Sequence, residues 1–341
     1  MKHHLNTLFV TTEGAYVAKE GQAVLVRIDK KVLLRVPLHN LDGIVCFGRV
    51  GVSPALMAVC AENGVRISML TPYCKFLAAI VGFQPGNVLL RRRQYRVADD
   101  EPQAAAIAAN IVAAKIANCR SVLLRAGRDN PAVVEGLAPV AKRLAHQVEF
   151  ARSCRSLDEL RGMEGDVASS YFGVFQRLIN VPDEAFRFGG RSRRPPLDPV
   201  NALLSFLYSM LAHDARSACE AAGLDAAVGF LHRDRPGRPG LALDLMEEFR
   251  PFLVDRLVLS LINRRQVAAD DFTTTASGAV TMTDKARKTV LVAYQKRKQD
   301  EITHSFLGEK TSLGLLIHLQ ARLMARHLRG DLDAYPPFVW R

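Results

Sequence analysis

The chain has 341 residues, 49% of them apolar and 23% charged, which is enough to bury a sizeable core and too long for one small domain. That balance excludes wholesale disorder, which needs low hydrophobicity together with high net charge. Lys and Arg outnumber Asp and Glu by 46 to 34, and the formal net charge of +12 favours a polyanionic partner while saying nothing of the fold. The six cysteines, at 46, 60, 74, 119, 154 and 219, form no CxxC pair, which excludes a zinc ribbon or dithiol motif and fits the reducing cytoplasm. The opening MKHHLNTLFVTTEGAYVA lacks the apolar stretch of a signal peptide. No run approaches the roughly 18 apolar residues of a membrane span, so a cytoplasmic protein is expected.

In chain order, short β-rich pieces come first: Leu5–Thr11, Ala15–Lys19, Ala23–Ile28, Val32–Val36, Leu41–Phe47 and Val65–Leu70, with a helix at Pro54–Glu62 closed by Asn63-Gly64. Pro85-Gly86 and the basic run Arg91–Arg93 with Arg96 mark a boundary, after which helix signals dominate. Asp100 and Pro102 open an alanine-rich helix reaching about Leu124. Ser156 and Glu159 make a capping box, and Asp198-Pro199 opens a helix over Val200–Ala222 that Gly223 ends. Phe186–Pro196 (FRFGGRSRRPP) reads as an exposed basic connector, and His232–Gly240 (HRDRPGRPG) as a loop before a helix from Leu241. The ending, Tyr335–Arg341 with Pro336-Pro337, reads as a loose terminus. The expected fold is α+β, with a small β-rich domain over residues 1–90 and a larger helical one over 91–341.

Three features could carry chemistry. Leu157, Leu160, Glu164, Val167, Tyr171, Val174 and Leu178 recur at helical spacing, so Glu164 sits within a core-facing stripe. A buried carboxylate needs a compensating cation, either an arginine or a metal, and Gly162 and Gly165 leave room beside it. In LALDLMEEF, Asp244 and Glu247 lie one turn apart on a helix that is apolar on two sides. Such a pair requires either a divalent cation or a network of donors, whereas Glu248 reads as a plain surface or ion-pairing acid. His232 stands twelve residues before Asp244. One imidazole with several carboxylates suits Mg²⁺ or Mn²⁺ better than Zn²⁺, and such sites activate an oxygen nucleophile against a phosphodiester. No HExxH, GxxxxGK[ST], GxSxG or GxGxxG is present, which removes zincin, P-loop, serine-hydrolase and dinucleotide classes at motif level.

Arg187, Arg191, Arg193 and Arg194 on the connector are the expected phosphate contacts, because arginine binds phosphate through a bidentate fork. Lys296–Lys298 reads as a solvated helix face.

GMEGDVASSYF around Glu164, RRPPLDPVNALLSFLYSML from Arg193 and GLDAAVGFLHRDRPGRPGLALDLMEEFRPFLVDRLV from Gly223 strongly resemble the CRISPR-associated adaptation endonuclease family, the first-numbered protein of that system. The opening LNTLFVTTEGAYVAKEGQ looks most like its I-C subtype. Gly240 departs from the family, which usually carries serine before LALDL. The resemblance implies a β-sandwich-like N-terminal domain, a helical catalytic domain, a homodimer, and a complex with the small second CRISPR-associated protein. The dimer is expected mainly through the β-rich domain, whose limited core and exposed strand edges gain from pairing. It implies that Glu164, His232 and Glu247 are the divalent-metal ligands, with Asp244 a further acid beside them. The implied reaction inserts new spacers into double-stranded repeat DNA, each fragment's 3′-hydroxyl attacking a phosphodiester. Two other classes stay open on the residues alone: a metal-dependent DNA-repair nuclease and a non-catalytic DNA-binding scaffold.

Overall fold

The computed structural model describes residues 6–29, 31–72, 76–82 and 87–340; the Pro85-Gly86 turn signal and Cys74 lie outside the described residues. Contacts divide the chain into two compact units, one of Met1–Pro85 with Val290–Gln295 and one of Gly86–Thr289 with Lys296–Arg341. The mixed α+β class is that expected, β-rich at the start and helical thereafter.

In the first unit, β1 (Asn6–Val10), β2 (Tyr16–Glu20), β3 (Ala23–Ile28), β4 (Lys31–Pro37), β5 (Leu41–Phe47), β6 (Gly51–Val52), α1 (Pro54–Glu62), β7 (Arg66–Leu70) and β8 (Phe76–Ile80) follow in order. One sheet runs β1-β5-β7-β8, parallel except for its last pair, and the other β4-β3-β2-β6. Alternate residues of both sheets, among them Val10, Val17, Val24, Ile44 and Ile67, meet Leu56 and Cys60 of α1 in one core. Ser53 caps α1 by accepting from the Leu56 amide, and Gly64 at φ 70° turns the chain out of it. Strand β4 is an edge that leaves Val32, Leu33 and Leu34 exposed.

The second unit starts with α2 (Val88–Asp99), so the basic run read as a boundary is the exposed face of a helix. Then come α3 (Glu101–Asp129), α4 (Val134–Ser153), α5 (Leu157–Gly173), α6 (Pro199–Ala221), α7 (Gly240–Glu247) and α8 (Arg256–Asn263). The hairpin β9 (Phe272–Thr274) and β10 (Val280–Met282) leads to α9 (Asp284–Gln299), and β11 (Glu301–Thr303) with β12 (Lys310–Ser312) to α10 (Leu313–Arg329). Asp100, Ser156 and Asp198 cap α3, α5 and α6 as expected, each accepting an amide of the first turn. Among the described residues α3 has the length and hydropathy of a membrane span, but 72% of that stretch is buried inside the protein, as a core helix requires.

The single helix expected after Leu241 is broken. Pro251 has no amide to return to the Glu247 carbonyl, and Arg250–Asp255 widens into a π-helical turn before α8 resumes. Lys298 also corrects its reading as a solvated residue, being buried on Asp214 at 2.9 Å, while Lys296 stays exposed.

Two further expectations fail together. Glu248 is fully buried, and the C-terminal segment is pinned rather than loose. Glu248 accepts from Tyr335 Oη at 2.5 Å, the Phe338 amide at 2.7 Å and Gln320 Nε2 at 3.0 Å. Asn118 Nδ2 donates to the carbonyls of Glu248 and Phe338, and the Trp340 amide donates back to Asn118 Oδ1 at 2.7 Å. The Phe338 ring stacks on Phe249 at 5° and packs against Phe252. Residues 335–340 therefore form a strap over the turn that follows α7.

Burial pushes the Glu248 carboxyl up to about 8, against the opposing pull of its three donors. In an unfolded chain a glutamate titrates near ~4.3. The folded chain thus holds a proton that the unfolded chain has released, so this stabilisation is complete below the unfolded value and is lost as pH rises through about 8. Thermal unfolding followed from acid to mild alkali is expected to show a midpoint that falls with pH, and Glu248→Gln to flatten that fall. A Glu248→Gln profile parallel to the wild type refutes the assignment.

Candidate functional site

The site is assembled from α3, α5, α7 and the turn 226–232. Gln94 of α2 grips that turn through both ends of its amide, donating to the Asp225 and Val228 carbonyls and accepting from the Asp225 amide. Gly240 and Leu241, which open α7, donate to the carbonyls of Ala227 and Ala226 at 3.0 and 3.1 Å. The two segments touch so closely that a Cβ on Gly229 would stand 2.7 Å from both Asp244 Oδ2 and the Gly240 carbonyl carbon, and one on Gly240 2.7 Å from the Ala227 oxygen. This close approach is the local reason for a glycine at 240.

Asp244 is fully buried, and its oxygens are spent. Oδ2 accepts from the amides of Phe230 and Leu231 at 2.5 and 3.0 Å, and Oδ1 from the His232 amide at 3.0 Å and the His232 ring Nδ1 at 2.6 Å. A carboxylate only accepts, so the imidazole proton lies on Nδ1. His232 Nε2 is left with its lone pair, 4.0 Å from Glu247 Oε1.

Glu247 is buried on α7, while Glu164 on α5 keeps its side chain 26% exposed, so the stripe expected to bury it reaches the surface there. Leu160, Val167 and Tyr171 of that stripe are buried. A Cβ on Gly162 or Gly165 would meet nothing within 4 Å, so the face beside Glu164 is open. Lys115, buried in the middle of α3, places its ammonium against Glu164 Oε1 and 2.7 Å from Glu247 Oε2. Arg250 Nη1 lies 3.1 Å from Glu247 Oε1. Burial alone would raise the Glu247 carboxyl, but the cations Arg250 and Lys115 beside it outweigh that and hold it at about 2. Burial pulls Lys115 the other way, and the two carboxylates overcome that too, keeping it above the ordinary lysine value.

The structure thus brings Glu164, His232, Asp244 and Glu247 into one cluster and adds Lys115 and Arg250, which the sequence reading passed over. Arg161, one turn before Glu164, ties α5 to the histidine turn: its Nε donates to the Leu231 carbonyl at 2.7 Å, and it shares Asp158 with Arg233. Beside the acids, Tyr208 donates to the buried Asp255 at 2.5 Å and lies under the guanidinium groups of Arg250 and Arg191. Burial lifts the Asp255 carboxyl to about 7.

The connector divides. Arg187, Arg193 and Arg194 are exposed, but Arg191 turns inward, donating to Asn201 Oδ1 at 2.6 Å and Ser205 Oγ at 3.1 Å. Its expected exposure is corrected, because Asn201 and Ser205 of α6 hold its two terminal nitrogens inside the fold, while its Nε is buried with no hydrogen-bond partner.

Two carboxylates and one imidazole nitrogen are a donor set for an oxygen-preferring divalent ion. Among the described residues no three His, Cys, Asp or Glu side chains stand in metal-holding geometry. Two features fit such an ion nonetheless. Glu247 Oε2 is buried with no hydrogen-bond donor, since Lys115 approaches it outside hydrogen-bond angles. The His232 tautomer set by Asp244 leaves Nε2 able to bind a cation, the usual arrangement of a carboxylate behind a ligating histidine.

The sequence matches the family described as CRISPR associated protein Cas1 over residues 8–296. It is 55% identical to a CRISPR-associated endonuclease Cas1 of Chlorobaculum tepidum over the full length of both chains. In fold it is similar to a casposase bound to integration product, with a TM-score of 0.85 at 21% identity over 99% of this chain and 95% of that one. It is also similar to a chain of a partial Cas6-RT-Cas1–Cas2 complex, with a TM-score of 0.67 at 25% identity over 98% of each chain. On its end-to-end similarity to these relatives, this chain belongs to the Cas1 family of CRISPR-associated proteins.

Proposed function

We propose that this chain is a cytoplasmic DNA endonuclease and integrase of CRISPR adaptation, of the I-C subtype, joining the 3′-hydroxyl ends of short duplex fragments to the repeat array. What supports the reading is the convergence of Glu164, Glu247 and His232 Nε2, with Asp244 fully committed to the 230–232 turn and its imidazole. Glu164, Glu247 and His232 would hold Mg²⁺ or Mn²⁺. Such an ion, when bound, supplies Lewis-acid chemistry, favouring the ionised hydroxyl and drawing charge from the phosphoryl oxygens.

Asp244 fixes the imidazole tautomer and direction, and Arg250 and Lys115 supply positive charge where the phosphoryl group becomes more negative. The fragment's 3′-hydroxyl gives up its proton to water and its oxygen forms a new bond to phosphorus as the repeat's own bond from phosphorus to its 3′-oxygen breaks. The departing oxygen takes up a proton from water, so none is gained or lost overall. One phosphodiester is lost and one gained, so no nucleotide cofactor is required. Water in place of the hydroxyl makes the same site a nuclease, and which one reacts depends on which is held in line. The relative seen in a complex with Cas2 supports Cas2 as partner, able to bring both fragment ends to two copies of this chain. The exposed edge strand β4, with Val32, Leu33 and Leu34, supports a homodimer through the β-rich unit.

Labelled duplex fragments, a supercoiled repeat plasmid, Cas2 and Mn²⁺ provide the decisive assay. Joining is expected with 3′-hydroxyl ends and not with 3′-deoxy ends, and to vanish in Glu164→Gln, Glu247→Gln and His232→Ala. Asp244→Asn, which leaves the ligands in place, is expected to weaken Mn²⁺ binding by about 10–100-fold. Joining of 3′-deoxy ends, or full activity in the three ligand variants, overturns the reading.

DNA binding is expected to weaken with salt, each phosphate contact contributing about 0.9 to the slope of log affinity on log salt. Arg187→Ala/Arg193→Ala/Arg194→Ala should flatten that slope, whereas Arg191→Ala should lower the melting temperature instead. An unchanged slope in the triple variant removes the connector from the interface.

The dimer is checked by sedimentation of Val32→Asp/Leu34→Asp. This pair of exposed changes should yield a folded monomer, and a persisting dimer places the interface elsewhere.

A further inference from the structure

Lys115 has the wrong charge for a metal ligand and yet takes the oxygens that a metal would need. Its neighbours on α3 (Ile111, Val112, Ala114, Ile116 and Cys119) are buried apolar residues. A lysine there is desolvated and stays charged only because Glu164 and Glu247 stand against it. The match is electrostatic rather than directional, for Glu247 Oε2 lies 2.7 Å from the ammonium and still has no hydrogen bond. Lys115 also lines a recess with Arg191, Arg193, Arg250 and Tyr208, in which the only acid among the described residues, Asp255, accepts from Tyr208 and is held up to about 7 by burial. An ammonium leaving the acids therefore turns towards three arginines against one acid, a move that is unfavourable until an anion enters.

We propose that Lys115 is a built-in competitor for the divalent ion, neutralising Glu164 and Glu247 in the metal-free protein and releasing them when a phosphate of DNA enters the recess. The inference rests on the reading of Glu164 and Glu247 as metal-holding residues. Metal affinity is thereby kept low in the absence of DNA and is coupled to DNA binding, and by linkage the metal strengthens DNA binding by the same factor. An integrase arranged in this way does not carry a charged nuclease centre between substrates.

The test is Mn²⁺ binding to DNA-free protein by calorimetry, with Lys115→Met, Lys115→Arg and the Lys115→Met/Glu164→Gln double variant. Lys115→Met should bind Mn²⁺ at least about tenfold more tightly than wild type, because a full charge close to the ion is removed. Lys115→Arg should stay within about threefold, and the double variant should lose the gain. A short duplex should tighten Mn²⁺ binding in the wild type and much less in Lys115→Met. Equal or weaker Mn²⁺ binding by folded Lys115→Met overturns the proposal while leaving the metal site standing. Absence of Mn²⁺ binding sensitive to Glu164→Gln in every variant overturns the metal site itself, and the proposal with it. If Lys115→Met does not fold without metal, refolding in Mn²⁺ decides: recovery supports a cation in the place of the ammonium, and failure to recover refutes it.

Discussion

Three carboxylates at positions 244, 247 and 248 leave water within one helical turn, and most of the helical unit can be understood as the means of compensating them. Taking a carboxylate out of water costs several kcal/mol unless donors or cations replace the lost hydration. Each acid recruits a different part of the chain. Asp244 gathers the amides and the imidazole of the 230–232 turn, Glu247 draws Lys115 and Arg250, and Glu248 collects the C-terminal strap. The turn and the central helix are therefore fixed relative to α7 by charge and the tail by hydrogen bonds to Glu248, with packing filling the remaining space.

This division also separates support from chemistry. Asp244 and Glu248 have every oxygen occupied by protein donors and are inert as ligands, whereas Glu247 keeps an oxygen with no hydrogen bond and stands beside Glu164 on the open edge of α5. The π-helical turn at Pro251 follows directly, and the ladder is relaxed where Arg250 must reach back to Glu247 and also cover Tyr208. Irregular backbone at that point is costly, and the strap rings of Phe338 and Trp340 against Phe252 hold it in place.

Much of this was legible in the sequence for one reason: acids at core positions of a helical stripe stand out. That argument found Glu164 and the Asp244/Glu247 pair, and the same argument applied to α3 singles out Lys115 among alanines and isoleucines. Glu248 was misread because an unbroken helix was assumed, and because its partners lie 72 and more residues away in a tail rich in proline. Arg191 was hidden for a similar reason: local composition marks it as exposed, and only the fold brings Asn201 and Ser205 to its guanidinium. Helix α2 is obscured by its own charge, since four arginines in six positions mark a boundary and only Leu90, Gln94 and Val97 face inward. Local periodicity reports which side of an element is buried, while the identity of distant partners stays outside its reach.

The strap also ends on the chain's single tryptophan. Trp340 is stacked on Phe252 at 21° under the guanidinium of Arg256, 4.5 Å from its ring centroid, with its amide fixed on Asn118. Light absorbed beyond the tyrosine band is therefore taken up at one place only, on the turn that supports Glu247. The colour and brightness of that emission report, without any label, whether the strap is seated while the protein binds metal or DNA.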